Sequence, residues 1–208
     1  MKPITHTRAI APRRVRTLKT ETAAMALKDF DHGLELDCLT FGQFSIIDAI
    51  AATLQHVTGP ASVTLSTWTA AEFDVEQLVA MISNKTIVDF RLLIDRGFTS
   101  CVANRFKKTL TQHFGASCIR ETMTHAKFCL IRNEAWNVVI RTSMNLNHNP
   151  RLEYMQVSDD PHLMAFYSDF CDQLFASPED GLGKRRRLPI AEAGTLPFAF
   201  KPLPTWRT

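Results

Sequence analysis

The 208-residue chain contains no run of about 18 or more apolar residues, the length a helix needs to cross a bilayer. Its basic N-terminus is not followed by the apolar stretch of a secretory signal. Both absences point to a cytoplasmic protein without a membrane partner. Cys-x-x-Cys and His-Glu-x-x-His patterns are missing and the seven histidines are scattered, so neither a metal nor any other cofactor is expected. The five cysteines are odd in number and sit mostly in apolar stretches such as Phe128-Cys129-Leu130, as reduced core thiols do. No segment repeats, so each structural element occurs once.

What is present suits one folded domain. Hydrophobic residues at 45% and charged residues at 22% exclude a disordered or fibrous chain. The net charge is only +3, but it is unevenly spread. Lys2, Arg8, Arg13, Arg14, Arg16 and Lys19 crowd one end, and a four-residue basic run occupies 184–187 near the other. The expected organisation is a basic N-terminal arm over 1–33, a domain over 34–176, and a basic, proline-rich tail over 177–208. Such arms either neutralise the phosphates of a polyanion or stay solvated.

Periodicity predicts an α/β fold. A helix follows Ser45, whose pairing with Asp48 resembles a capping box, with Ile46, Ile47, Ile50, Leu54 and Val57 on one face before Gly59-Pro60. A strand over 62–67 leads through a helix opened by Thr69 and Glu72, with Phe73, Leu78, Val79 and Ile82 inward, to a near-continuous apolar strand over 87–94. That is a βαβ unit. Val102, Phe106, Leu110 and Phe114 stripe the next helix, which carries Arg105, Lys107 and Lys108 on its other side and closes at Gly115. Strands over 117–120, 127–132, 136–142 and 152–157 follow, then a helix entered through Asp160-Pro161.

The polar residues with chemical potential gather around the strands at 127–132 and 136–142, joined by a short hairpin loop. His125 and Lys127 are two apart, so they share a face if Lys127 opens a strand. Ser143 and Asn145 repeat that spacing after the next strand, and antiparallel pairing brings the two pairs together. Phosphoryl transfer through histidine needs a neutral imidazole, a cation to offset phosphate charge, and neutral donors for its oxygens. His125, Lys127, Ser143 and Asn145 supply that set. Glu153, in the following strand, is a candidate to hold the far imidazole nitrogen.

His125-Ala126-Lys127-Phe128-Cys129-Leu130-Ile131, followed by Ser143-Met144-Asn145 and then Leu152-Glu153-Tyr154, resembles the phospholipase D superfamily. The family pattern is His-x-Lys-x4-Asp-x6-Gly-Ser-x-Asn with a later acidic residue. Here Arg132 stands at the Asp position and Thr142 at the Gly position. The resemblance implies a mixed β-sheet flanked by helices on both faces, with one half-site per chain. It also implies a homodimer in which two copies of His125 meet, one attacking phosphorus and the other protonating the leaving oxygen. With the basic arms and Arg105, Lys107 and Lys108 as substrate-binding cations, the expected function is metal-independent cleavage of DNA or RNA through a phosphohistidine. The alternatives are a phospholipase D-like protein that binds nucleic acid without turnover, and an assembly protein that works through its tails.

Overall fold

The apolar runs come together in one eight-stranded sheet. The structure, a computed structural model, describes residues 14–18 (backbone), 22–99 and 101–177. In chain order the elements are β1 (Arg14–Leu18), α1 (Ala23–Ala26), β2 (Glu35–Thr40), α2 (Ile46–Thr53) and β3 (Ala61–Thr67). Then come α3 (Glu72–Ser83), β4 (Ile87–Asp95), α4 (Cys101–Phe114), β5 (Ile119–Thr122), β6 (Phe128–Arg132), β7 (Asn137–Thr142), β8 (Glu153–Asp159) and α5 (Pro161–Ala176).

The strand order is β1-β2-β8-β7-β6-β3-β4-β5. β1 lies parallel to β2, and β3, β4 and β5 are parallel to one another, while β2–β8, β8–β7, β7–β6 and β6–β3 are antiparallel. Only β6 and β8 therefore run against the rest. Their first residues share one edge of the sheet with the last residues of the other strands, and every predicted catalytic residue falls on that edge.

Side-chain alternation divides the core in two. Phe90, Leu92 and Ile94 of β4, Cys129 and Ile131 of β6, and Val138 and Ile140 of β7 pack with α1 to α4 on one face. Leu93, Phe128, Leu130 and Val139 meet Leu163, Met164, Cys171 and Leu174 of α5 on the other. This is the expected mixed sheet with helices on both faces. Burial accounts for the thiols: it raises the Cys129 pKa far above its ordinary value and pushes Cys171 up to about 11, so both act as packing groups. Among the described residues no helix is long and apolar enough to cross a membrane.

Several expectations are corrected. The fold reaches into the segment read as an arm: the 14–18 backbone adds an edge strand to the sheet, and Ala23, Ala26, Leu27 and Phe30 are buried. Residues 1–13 and the tail from 178 onward lie outside the described residues. Thr69 does not cap α3, which starts at Glu72, because Ala70 bridges to Leu146 and the Ala71 N–H donates to the Leu146 carbonyl at 2.7 Å. Phe73 faces out, and Asp74 takes the inward position, near Asp48, Ser45 and His148. Gly115 ends α4 with φ of 79°, and Asp160 caps α5 through the His162 and Leu163 N–H groups at 2.9 and 3.0 Å.

Candidate active site

The linker entering β6 is fixed from both sides before it delivers its side chains. The Thr124 N–H donates to Asp95 Oδ2 at 2.9 Å, the Ala126 N–H to Thr124 Oγ1 at 3.1 Å, and Ser66 Oγ to the Ala126 carbonyl at 2.8 Å. Asp95 and Ser66 belong to β4 and β3, so the sheet itself sets the position of His125. The imidazole is exposed and lies against Trp68, with ring centroids 5.5 Å apart. Lys127 Nζ is 3.3 Å from His125 Nδ1 and 3.5 Å from Nε2, and it donates to the His125 carbonyl at 2.9 Å. The predicted pairing of histidine and cation is thus direct.

Burial lowers the Lys127 pKa, and the Glu153 carboxylate pulls it back toward its ordinary value. Glu153 starts β8, beside the residue that follows β7. Its carboxylate accepts from Ser143 Oγ, and the Tyr154 N–H donates to that same Ser143 oxygen at 3.0 Å. Glu153 was expected on the far imidazole nitrogen. In the single chain its hydrogen bond goes to Ser143, and its link to Lys127 is through charge.

Asn145 is held indirectly. Met144 and Leu146 on either side are buried, and the Leu146 N–H donates to Thr67 Oγ1 at 3.2 Å. These anchors leave Asn145 Oδ1 buried with no hydrogen-bond partner among the described residues. The loop continues to His148, whose Nε2 lies 2.7 Å from the Gly42 carbonyl. His148 therefore ties two loops of this edge together.

The two departures from the motif lie differently. Arg132 ends β6 at the opposite edge of the sheet. The Thr142 hydroxyl is turned to backbone, donating to the Tyr154 carbonyl at 2.6 Å and accepting from the Met144 N–H at 3.0 Å.

The α4 cations are not a free cluster. Arg105 pairs with Glu72, and the half-buried Lys107 donates to Glu121 at 2.8 Å and to the Phe98 carbonyl at 3.3 Å. Lys108 is exposed. Sequence reasoning missed Trp68, Arg141, Tyr154 and Tyr167 around the site. Two of them had a positional signal: Arg141 stands two residues before Ser143, and Tyr154 follows Glu153.

No family model and no curated protein matches the chain. Among solved structures it is similar to the polyphosphate kinase from Porphyromonas gingivalis, at 13% identity and a TM-score of 0.47, over 76% of this chain and 29% of that one. It is also similar to NucT from Helicobacter pylori, at 11% identity and a TM-score of 0.47, over 69% of this chain and 97% of that one. The chain thus spans less than a third of the kinase and most of NucT.

Proposed function

We propose that the chain is a phosphodiesterase of the phospholipase D type that cleaves nucleic acid, with His125 as nucleophile in a site completed by a second copy. The observation that carries this reading is the Lys127 ammonium 3.3 Å from the exposed His125 imidazole, on a sheet edge that also holds Ser143 and Glu153. A histidine so placed attacks a bound phosphorus while Lys127 offsets the charge of its oxygens. Asn145 supplies a neutral donor through its amide nitrogen, held between two anchored residues, while Ser143, whose one hydroxyl proton goes to Glu153, ties that carboxylate to the site.

In the proposed sequence His125 forms an N–P bond as the P–O bond to the leaving group breaks, and the protonated His125 of the second copy gives that oxygen its proton. Water then attacks phosphorus, the second imidazole takes the water proton, and the N–P bond breaks. Support for a second copy comes from the same edge. Leu39, Phe41, Trp68, Met123 and Leu152 are all large, exposed apolar or aromatic residues, and all lie at strand ends along this edge. An apolar belt around half a site is the surface an isologous contact would cover. On this reading Lys108 and the basic termini contact the nucleic-acid backbone, whereas Arg105 and Lys107 are offset by Glu72 and Glu121 and contribute little to that contact.

The test is incubation of the full-length protein and its His125→Ala variant with plasmid and oligonucleotides in EDTA. EDTA-resistant cleavage that falls by at least about 10³-fold in the variant, the scale of losing a nucleophile, supports the reading. Salt-sensitive binding without cleavage by either protein replaces it with the binding-only alternative.

A further inference from the structure

Beside the half-site, on the face that α5 covers, lies a cavity of about 470 Å³ that reaches His125 and Lys127. Its sheet side carries Arg141 of β7 and Gln156 of β8, and its helix side carries Phe166 and Tyr167 of α5. Tyr167 is held by two aromatic contacts, to Phe128 with centroids 4.8 Å apart and edge-on to Phe166 at 5.3 Å. Tyr154 lines the mouth and is 46% exposed.

The polar groups are as selective as the rings. Arg141 uses Nη2 on Glu35 at 3.2 Å, whereas its Nε is buried and has no partner among the described residues. Gln156 donates from Nε2 to Asp37 Oδ1 at 2.6 Å, which leaves its carbonyl oxygen as an acceptor. A cavity with aromatic walls, the partly exposed Arg141 guanidinium on its lining and a spare carbonyl acceptor on Gln156 suits a flat heterocycle whose faces stack and whose edge makes hydrogen bonds. A hydrocarbon chain would fill the volume but make no hydrogen bond to the Arg141 guanidinium or the Gln156 carbonyl.

We propose that this cavity holds one unpaired nucleobase of the strand whose phosphodiester lies at His125 and Lys127. The proposal rests on the phosphodiesterase reading and gives its substrate a strand state. A base stacked and paired in a duplex has no free face or edge to offer, so the site selects single-stranded nucleic acid or a frayed end.

The full-length protein is tested with single-stranded oligothymidylate and with an oligomer of equal length in which every unit is abasic, so that phosphate charge is matched. Oligothymidylate is expected to bind at least about tenfold more tightly, within the range of one base stack, and to be cleaved correspondingly faster. Tyr154→Ala and Phe166→Ala each reduce that ratio several-fold, with circular dichroism checking the fold. Equal binding and cleavage of both oligomers overturns the base pocket and leaves the phosphodiesterase reading standing. Preference for oligothymidylate in binding, with cleavage of neither, upholds the pocket and overturns the reading beneath it. Hydrolysis of phosphatidylcholine vesicles in preference to either oligomer overturns the pocket in favour of a lipid tail.

Discussion

Ser143 donates its hydroxyl proton to the Glu153 carboxylate, and the backbone of Tyr154 donates back to the same oxygen at 3.0 Å. A serine locked in this way has a fixed direction, and the carboxylate that locks it also supports the charge on Lys127.

Glu153→Gln is expected to act on both partners. The amide orients Ser143 less firmly, and Lys127 loses the charge that opposes its desolvation, so its pKa falls further. In the proposed mechanism Lys127 works as a cation, so activity should be lost as pH rises through that lowered pKa, and the alkaline limb of the pH–rate profile should move to lower pH. A drop in kcat/KM of about 10- to 100-fold, the scale of losing an orienting partner, accompanies the shift. An unchanged alkaline limb contradicts the coupling.

Asp74 makes a separate prediction about stability. Burial first, then the neighbouring Asp48, raises its pKa above the ordinary carboxylate value, while His148 and Ser45 act in the other direction. A carboxyl whose pKa is higher folded than unfolded is a burden where it is ionised in both states, above its folded pKa. That burden disappears below its unfolded pKa. Asp74→Asn, which keeps an acceptor oxygen, should therefore raise Tm at neutral pH, with the advantage shrinking as pH falls through the carboxylate range. Thermal melts of both proteins across that range check the sign.

Gly42 has φ of 80°, and a Cβ there would come within 2.6 Å of the Asn149 carbonyl oxygen and 2.7 Å of Pro150 Cα. The loop after β2 thus touches the loop that carries Asn145, and only glycine allows it. Gly42→Ala should cost about 2 kcal/mol or more in chemical denaturation, from the left-handed backbone and the contact together. Activity should fall by more than the loss of folded protein explains.

How much of this was legible follows from where the determining partners lie. The βαβ unit, the hairpin and the entry into α5 depend on local signals such as the apolar run of β4 and Asp160-Pro161, and they were read correctly. The pairing of His125 with Lys127 was equally local. Phe73 and Asp74 exchanged places because the polar groups around the buried carboxylate, Ser45 and His148, come from distant loops. The 14–18 segment read as a basic arm because β1 is defined by the open edge of β2, which no local pattern reveals. The cavity under α5 was hidden for the same reason: Arg141, Gln156 and Tyr167 meet only after the sheet and helix are assembled.

The apolar belt on the edge that carries His125 predicts the oligomeric state. Phe41 is 53% exposed and precedes the contact loop at Gly42. Phe41→Glu should leave the fold intact and shift the sedimentation equilibrium from dimer toward monomer, with activity per chain rising with concentration as dimers re-form. A wild-type protein that is monomeric yet fully active contradicts the shared site.

The most direct test is to trap the covalent intermediate. The protein is mixed with a labelled oligonucleotide, quenched in alkali within the first turnover, and digested for mass spectrometry. A phosphoryl adduct on His125 that is stable to alkali, is released by acid, and is missing from His125→Ala is the expected result. Efficient cleavage by His125→Ala, or an adduct on any other residue, contradicts it.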